Sequence, residues 1–129
     1  DSWEPALLEA GFEPEDRTVW IAEGLLVYLR SDDRDALLRT AAILSPAGSR
    51  LGATVPAAGR RRQLAAQGGG DLWLSDGPED PTRWLAGLGW AAELFDSRER
   101  LAAYGRATPG WDSGGWRPGR PALVSARRR

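Results

Sequence analysis

The chain of 129 residues, 42% of them hydrophobic, is long enough for one domain with a single core. It contains neither Cys nor His, which excludes disulfides, thiol nucleophiles, Cys/His zinc sites and the commonest general base, so any chemistry must use carboxylates, hydroxyls, Arg or a bound cofactor. The formal net charge of -1 argues against a dedicated nucleic-acid binder, and no apolar run approaches the ~20 residues that cross a bilayer, so we expect a cytoplasmic protein without a membrane segment.

Two further features of the composition bear on partners. The clusters Arg60–Arg62 and Arg127–Arg129 could contact phosphates, although a solvated loop and a frayed terminus are the simpler interpretation. The chain has no Met, even at position 1, and we therefore expect that a segment upstream of it has been lost.

The first half of the chain predicts a helix, a strand and a longer helix. Residues 3–10 have helical spacing of their apolar side chains and end at a glycine. Residues 17–22 (RTVWIA) predict a strand that is buried on both faces. Ser31 is the predicted cap of a helix over residues 31–44, which has three Asp residues at its positive end and an apolar stripe.

The second half predicts the remainder of an α/β fold. Residues 50–55 form a second strand, so that the chain contains a strand-helix-strand unit typical of parallel sheets. Region 56–80 is rich in Ala, Gly and Arg and predicts a loop or lid with a short helix at 61–66. The later predicted elements are a helix at 81–88, a strand at 90–95, a helix at 97–104 capped by Ser97, and a last strand at 122–126.

Three residues after the first strand are candidates for a binding site. Ligands of open parallel sheets bind beyond the carboxyl ends of the strands, where Glu23 falls, and Gly24 beside it allows a ligand to approach the backbone. The alternative for Glu23 is an ordinary turn residue. Tyr28 could line the same cavity, or it could pack in the core like the leucines around it.

The tryptophans and glycines give weaker signals. The Trp residues could stack on a flat ligand, but Trp in an apolar helix or strand more often packs in the core. The triple glycine at 68–70 lacks the strand-to-helix junction of a phosphate-binding loop, and no GxxxxGK motif is present.

The segment TVWIAEGLLVYL, followed by AAILSPAGSRL, resembles the S-adenosylmethionine-dependent methyltransferases related to leucine carboxyl methyltransferase, in the branch found in actinobacteria. DSWEPALLEAGFEPEDRT, PTRWLAGLGWAAELFDSRERLAAYGR and PALVSARRR resemble further parts of that branch. The resemblance covers most of the chain, apart from residues 56–70 and 107–119.

This resemblance implies the C-terminal half, from the fourth strand onward, of a Rossmann-like class I methyltransferase domain. It places Glu23 at the cofactor, S-adenosyl-L-methionine, with Gly24 beside it, and Tyr28 near the methyl acceptor, a small molecule methylated on a carboxylate or hydroxyl oxygen. The glycine-rich cofactor loop of the family is not in this sequence. We therefore expect residues 1–129 to be a single partial domain that binds the cofactor weakly or not at all by itself, without metal or nucleic acid.

Two alternatives to a methyltransferase half remain. The chain could be a non-catalytic remnant or interaction module that self-associates through an exposed sheet edge, because its first strand needs a neighbour that nothing upstream of Arg17 supplies. An Arg-rich nucleic-acid binder ranks last, because acidic residues outnumber basic ones by 18 to 17.

Overall fold

A computed structural model describes residues 3–68, 72–106, 116–117 and 119–129. Within these ranges helices and strands are mixed along the chain, which confirms the predicted α/β class. No helix among the described residues has the length and apolar character needed to cross a membrane. The elements are α1 (Glu4–Glu9), β1 (Val19–Ala22), a 3₁₀ helix (Leu26–Tyr28), α2 (Ser31–Ile43), β2 (Arg50–Val55), α3 (Arg60–Ala66), α4 (Pro81–Gly87), β3 (Trp90–Phe95), α5 (Ser97–Ala103) and β4 (Ala122–Arg128).

The four strands form one open sheet in the order β1-β2-β4-β3. β1 and β2 are parallel and are joined through α2, so the predicted strand-helix-strand unit is confirmed. β4 lies between β2 and β3 and is antiparallel to both, which makes β3 parallel to β2. This mixed open sheet is consistent with the Rossmann-like methyltransferase fold that the resemblance implies.

One face of the sheet carries the core. Alternate residues of the strands point to this face, among them Leu51, Val55 and Trp90, and they form one buried cluster with Leu38 of α2 and Leu85 of α4. The indole Nε1 of Trp90 donates a hydrogen bond to Leu38 O at 3.0 Å, which satisfies the polar atom of the largest fully buried side chain. Packing, not ligand stacking, therefore accounts for Trp90. Trp111 lies outside the described residues.

The other face of the sheet is largely open among the described residues. Val19 and Ile21 in β1 are 67% and 75% exposed, so the prediction of a first strand buried on both faces is wrong. Its continuous apolar sequence indicates burial on two sides, but the described chain supplies a covering layer on only one of them. β1 also begins two residues later than predicted, at Val19.

Three local predictions are wrong: the Ser caps of α2 and α5, and the frayed C-terminus. No side chain caps α2, and Ser31 is its first helical residue. Asp96, not Ser97, caps α5, with its carboxylate accepting from Arg98 N at 2.8 Å. The predicted frayed terminus is instead part of β4, where Arg128 Nε donates to Ala42 O at 2.7 Å and so binds the end of α2 to the last strand.

Candidate functional site

The parallel strands β1 and β2 end together at one edge of the sheet. Ala22 lies opposite Ala53 in the register, and the chain then turns at Gly24, whose φ of +65° is in the left-handed region. The backbone N–H of Gly24 donates to Thr54 Oγ1 at 2.7 Å, which ties the turn after β1 to the end of β2. A Cβ atom built on Gly24 would meet no atom within 4 Å, so this turn leaves open space for a ligand.

The carboxylate of Glu23 lies at this edge and is exposed. Glu23 lines a groove of about 300 Å³ on the open face, together with side chains from the ends of three strands. Such a carboxylate can accept hydrogen bonds from an ammonium group or from ribose hydroxyls. The other residues that line this groove are Ile21, Gly52, Ala53, Thr54, Leu123 and Val124.

Tyr28 lies on the 3₁₀ helix and is 50% exposed, so it does not pack in the core. Leu26, two residues earlier, is fully buried and anchors this short helix to the sheet. Tyr28 is not among the residues that line the groove of Glu23. The structure therefore places Glu23 and Gly24 together and Tyr28 on the adjoining turn.

Residues 73–77, which we call the strap, run beside the 3₁₀ helix and belong to the region predicted as a loop or lid. Leu74 N donates to Val27 O at 2.8 Å, and the hydroxyl of Ser75 donates to Leu26 O at 3.1 Å. At its end, Gly77 lies directly against the backbone of Pro56, the residue that follows β2. The strap thus connects the two chain segments that leave the carboxyl ends of β1 and β2.

Arg34 fixes the strap to α2, and the sequence reasoning missed it. Arg34 is 6% exposed, its Nη1 donates to Asp76 O at 2.8 Å, and its Nε donates to Asp35 Oδ1 at 3.1 Å. The guanidinium also stacks on the ring of Trp84, 4.6 Å from the centroid, while Trp84 Nε1 donates to the same carboxylate oxygen at 2.9 Å. The sequence contained one signal for Arg34: a cation near the start of a helix is opposed by the helix dipole, so it needs other partners to be stable there.

Asp96 is a second residue that the sequence reasoning missed, and it lies at the same edge because it follows β3, which runs parallel to β2. Burial raises the pKa of Asp96, but hydrogen bonds from the backbone N–H of Arg98 and the guanidinium of Arg120, at 3.4 Å, outweigh burial and hold the pKa below its usual value. Because these donors occupy its carboxylate oxygens, Asp96 stabilises the fold at this edge of the sheet. No group of three acidic side chains in the described ranges is arranged to hold a metal ion.

Comparisons with known proteins match this chain to methyltransferases. The family model described as "Leucine carboxyl methyltransferase" matches residues 1–42, which include Glu23, Gly24 and Tyr28. A relative from Frankia alni is 47% identical over 134 residues, covering 99% of this chain and 46% of its own length.

Two relatives from Streptomyces match in the same way. The one from Streptomyces avermitilis is 42% identical over 133 residues, and the one from Streptomyces coelicolor is 40% identical over 136 residues. Each covers 100% of this chain and 46% of its own length, so the chain spans about half the length of these relatives. The names of all three assign them, provisionally, to the S-adenosyl-L-methionine-dependent methyltransferases. Along its whole length the chain is thus similar to part of these S-adenosyl-L-methionine-dependent methyltransferases, and its residues 1–42 match the leucine carboxyl methyltransferase family model.

Proposed function

We propose that this chain is the C-terminal half of a cytoplasmic methyltransferase domain that transfers a methyl group from S-adenosyl-L-methionine to a carboxylate or hydroxyl oxygen of a small molecule. The observation that carries this proposal is the exposed carboxylate of Glu23, placed beside Gly24 where β1 and β2 end together. Ligands of parallel sheets bind at this edge.

The residues at this edge have roles that suit such a cofactor. Glu23 accepts hydrogen bonds from its ammonium group or ribose hydroxyls, and Gly24, without a side chain, lets it approach the turn. Tyr28 contacts the acceptor from the adjoining 3₁₀ helix, and region 56–80, including the strap, bounds the acceptor side.

The absence of His and Cys does not oppose this chemistry. When bound, S-adenosyl-L-methionine would supply an electrophilic methyl group for the acceptor oxygen, and Glu23 and Gly24 would hold it where β1 and β2 end. A carboxylate acceptor has no proton to lose, and a hydroxyl acceptor would pass its proton to a carboxylate or to water. The protein contributes mainly by holding the two reactants in line and excluding water.

The proposal includes a partner for the chain. The Glu23 groove of about 300 Å³ is lined by residues of three strands and is at the small end of the range of ligand pockets. We infer that the rest of the cofactor site comes from a polypeptide equivalent to the N-terminal half of the relatives, which this chain does not span.

Calorimetric titration tests the role of Glu23. The chain is mixed with the part of the Frankia alni relative outside the 134-residue match, and S-adenosyl-L-methionine is titrated into the mixture. Glu23→Gln is expected to weaken binding by about 10-fold, in the range for loss of a charged hydrogen bond, and the matched variant Glu15→Gln, exposed before β1, is expected to leave it unchanged. Equal binding by both variants would count against the assignment of Glu23.

A second function is favoured by the free edge of β1, which pairs only with β2 among the described strands. On this alternative the chain is a non-catalytic module that dimerises by edge-to-edge strand pairing. Sedimentation distinguishes it: the alternative requires a dimer at micromolar concentration, and a stable monomer with cooperative melting contradicts it.

A further inference from the structure

Two arginine side chains meet at the turn that precedes β2. Gly48 lies in this turn with a φ of +91°, shortly before β2 begins at Arg50. A Cβ atom built on Gly48 would lie 3.6 Å from Arg17 Nε and 3.7 Å from Arg127 Nη2, so these two nitrogens are at most about 7 Å apart. Arg50 lies directly opposite Arg127 in the register between β2 and β4. We call Arg17, Arg50 and Arg127 the arginine cluster.

The arginine cluster has no counter-ion within the described part of the chain. None of its three guanidinium groups takes part in a recorded ion pair or side-chain hydrogen bond there. Asp16 precedes Arg17 in the sequence, and Glu93 lines a groove beside Arg50 and Arg127, but neither carboxylate comes within 4.0 Å of a cluster nitrogen. Directly opposed like charges on neighbouring strands destabilise a sheet, so an anion bound between them would stabilise it.

A groove at the same end of the sheet gives an anion access to the cluster. It has a volume of about 300 Å³ and is lined by Ala47, Gly48, Ala91, Arg127, Arg128 and Arg129. Arg128 adds a fixed positive charge, because backbone carbonyl oxygens hold its guanidinium, Ala42 O at 2.7 Å and Gly89 O at 3.3 Å. Glu23 follows the last residue of β1, whereas the groove adjoins the turn before the first residue of β2. Because β1 and β2 are parallel, the groove and the proposed cofactor site lie at opposite ends of the sheet.

We propose that the arginine cluster is a binding site for a small molecule that carries a diphosphate group. The charge of the cluster favours a multiply charged anion, because one carboxylate would neutralise only one of the three guanidinium groups. Arginine suits such a ligand, since its planar fork donates two parallel hydrogen bonds to phosphate oxygens. Phosphate oxygens that accept from Arg17 and Arg127 at about 2.9 Å bridge the gap of at most about 7 Å between the two nitrogens.

The extent of the cluster favours a small molecule over a nucleic acid. Neighbouring strands are about 4.8 Å apart, so a cluster drawn from three of them spans on the order of 10 Å. A nucleic-acid interface uses a longer basic face, whereas the same side of β1 carries the exposed apolar residues Val19 and Ile21. The inference is independent of the proposed methyl transfer, because it uses none of the residues at the Glu23 edge.

Calorimetric titration of the chain at low ionic strength tests the site. Inorganic pyrophosphate and adenosine diphosphate represent the free and the esterified group; binding of either supports the site, and the tighter one identifies the form that it recognises. Arg17→Gln/Arg127→Gln is expected to weaken binding at least about tenfold, because the two donors that meet at the turn are lost. The matched variant Arg39→Gln/Arg83→Gln removes two exposed arginines from α2 and α4 and is expected to weaken binding less than about twofold.

Thermal melting followed by circular dichroism gives a second readout and shows that each variant is folded. Pyrophosphate is expected to raise the melting temperature of the unchanged chain and of the matched variant, but not that of Arg17→Gln/Arg127→Gln. Without ligand, Arg17→Gln/Arg127→Gln is expected to melt at the same temperature as the unchanged chain or higher, because like charges are removed. A lower melting temperature would contradict the absence of a counter-ion.

Other outcomes of the titration overturn the proposal. If neither diphosphate binds, the cluster is not a site, and equal weakening by both double variants would show that only the overall charge matters. Acetate that displaces pyrophosphate at equal concentration would remove the need for a multiply charged ligand. An oligonucleotide that binds the cluster more tightly than either diphosphate would make a nucleic acid the partner.

Discussion

Replacing Gly77 by Ala is expected to destabilise the fold by pushing the strap away from the end of β2. A Cβ atom at this position would overlap Pro56 O and would lie 2.6 Å from Pro56 C and 3.1 Å from Ala57 C. Ordinary contacts of a Cβ begin at 3.4 Å, so the two backbones must separate by more than about 1 Å to relieve the overlap with Pro56 O. The neighbours are backbone atoms that cannot rotate aside, and the hydrogen bond from Leu74 N to Val27 O lies in the same strap.

The size of the effect follows from two opposing terms. Forced insertion of a methyl group into a packed contact costs about 1–3 kcal/mol. The lower entropy of the unfolded chain returns about 0.4–1 kcal/mol for any Gly→Ala change. We therefore expect a net loss of about 1–2 kcal/mol in the free energy of unfolding.

Gly87 provides the matched control for this prediction. It is the last residue of α4, and a Cβ atom there would meet nothing within 4 Å, so Gly87→Ala is expected to be neutral or to stabilise the fold by up to about 1 kcal/mol. In urea denaturation with an m-value of about 1.5 kcal/mol/M, Gly77→Ala should lower the midpoint by roughly 1 M. Equal midpoints for the two variants would refute the close approach of the strap to Pro56.

Three further predictions concern the buried contacts. Arg34→Met is expected to lower the free energy of unfolding by about 1–3 kcal/mol and to speed amide hydrogen exchange at Leu74, because Asp76 O and the carboxylate of Asp35 lose a donor. Unchanged exchange at Leu74 would contradict the role of Arg34 in holding the strap. Trp90→Ala is expected to cost about 3–5 kcal/mol in urea denaturation, because this fully buried ring is removed and Leu38 O loses its donor. The pKa of Asp96 is lower in the folded protein than in the unfolded chain, so its contribution to stability is present above the unfolded pKa and is lost as the pH falls through the folded pKa. Asp96→Asn should therefore remove this loss of stability at acid pH in denaturation curves measured at several pH values. An unchanged pH dependence of the variant would contradict this role of Asp96.

The local pattern of the sequence predicted most of the elements. β2 and β3 have the predicted bounds, and α4 begins at the predicted proline. These segments succeed because their apolar periodicity and their glycine or proline boundaries are properties of neighbouring residues. The order of the strands in space has no such local signal, and the position of β4 between β2 and β3 depends on pairing across the whole chain.

The residues that the sequence failed to predict act over long distances. Arg34 binds a carbonyl 42 positions away, and Arg128 binds one 86 positions away, so neither contact has a sequence spacing that could indicate it. β1 was predicted to be buried on both faces because its composition is apolar throughout. An apolar composition indicates that both faces of a strand need packing partners, but it does not identify the segment that supplies them. Glu23 and Gly24 could be placed at the strand end from sequence, because a turn after a predicted strand is a local feature.

The most direct test of the central proposal is a titration followed by nuclear magnetic resonance. The chain, labelled with ¹⁵N and mixed with the part of the Frankia alni relative outside the match, is titrated with S-adenosyl-L-homocysteine. We predict that the largest amide shifts occur at the turn around Gly24 and at Thr54, where β1 and β2 end. Shifts confined to the opposite end of the sheet, around Arg50 and Arg127, or no shifts at all in the mixture, would contradict a cofactor site at the carboxyl ends of the parallel strands.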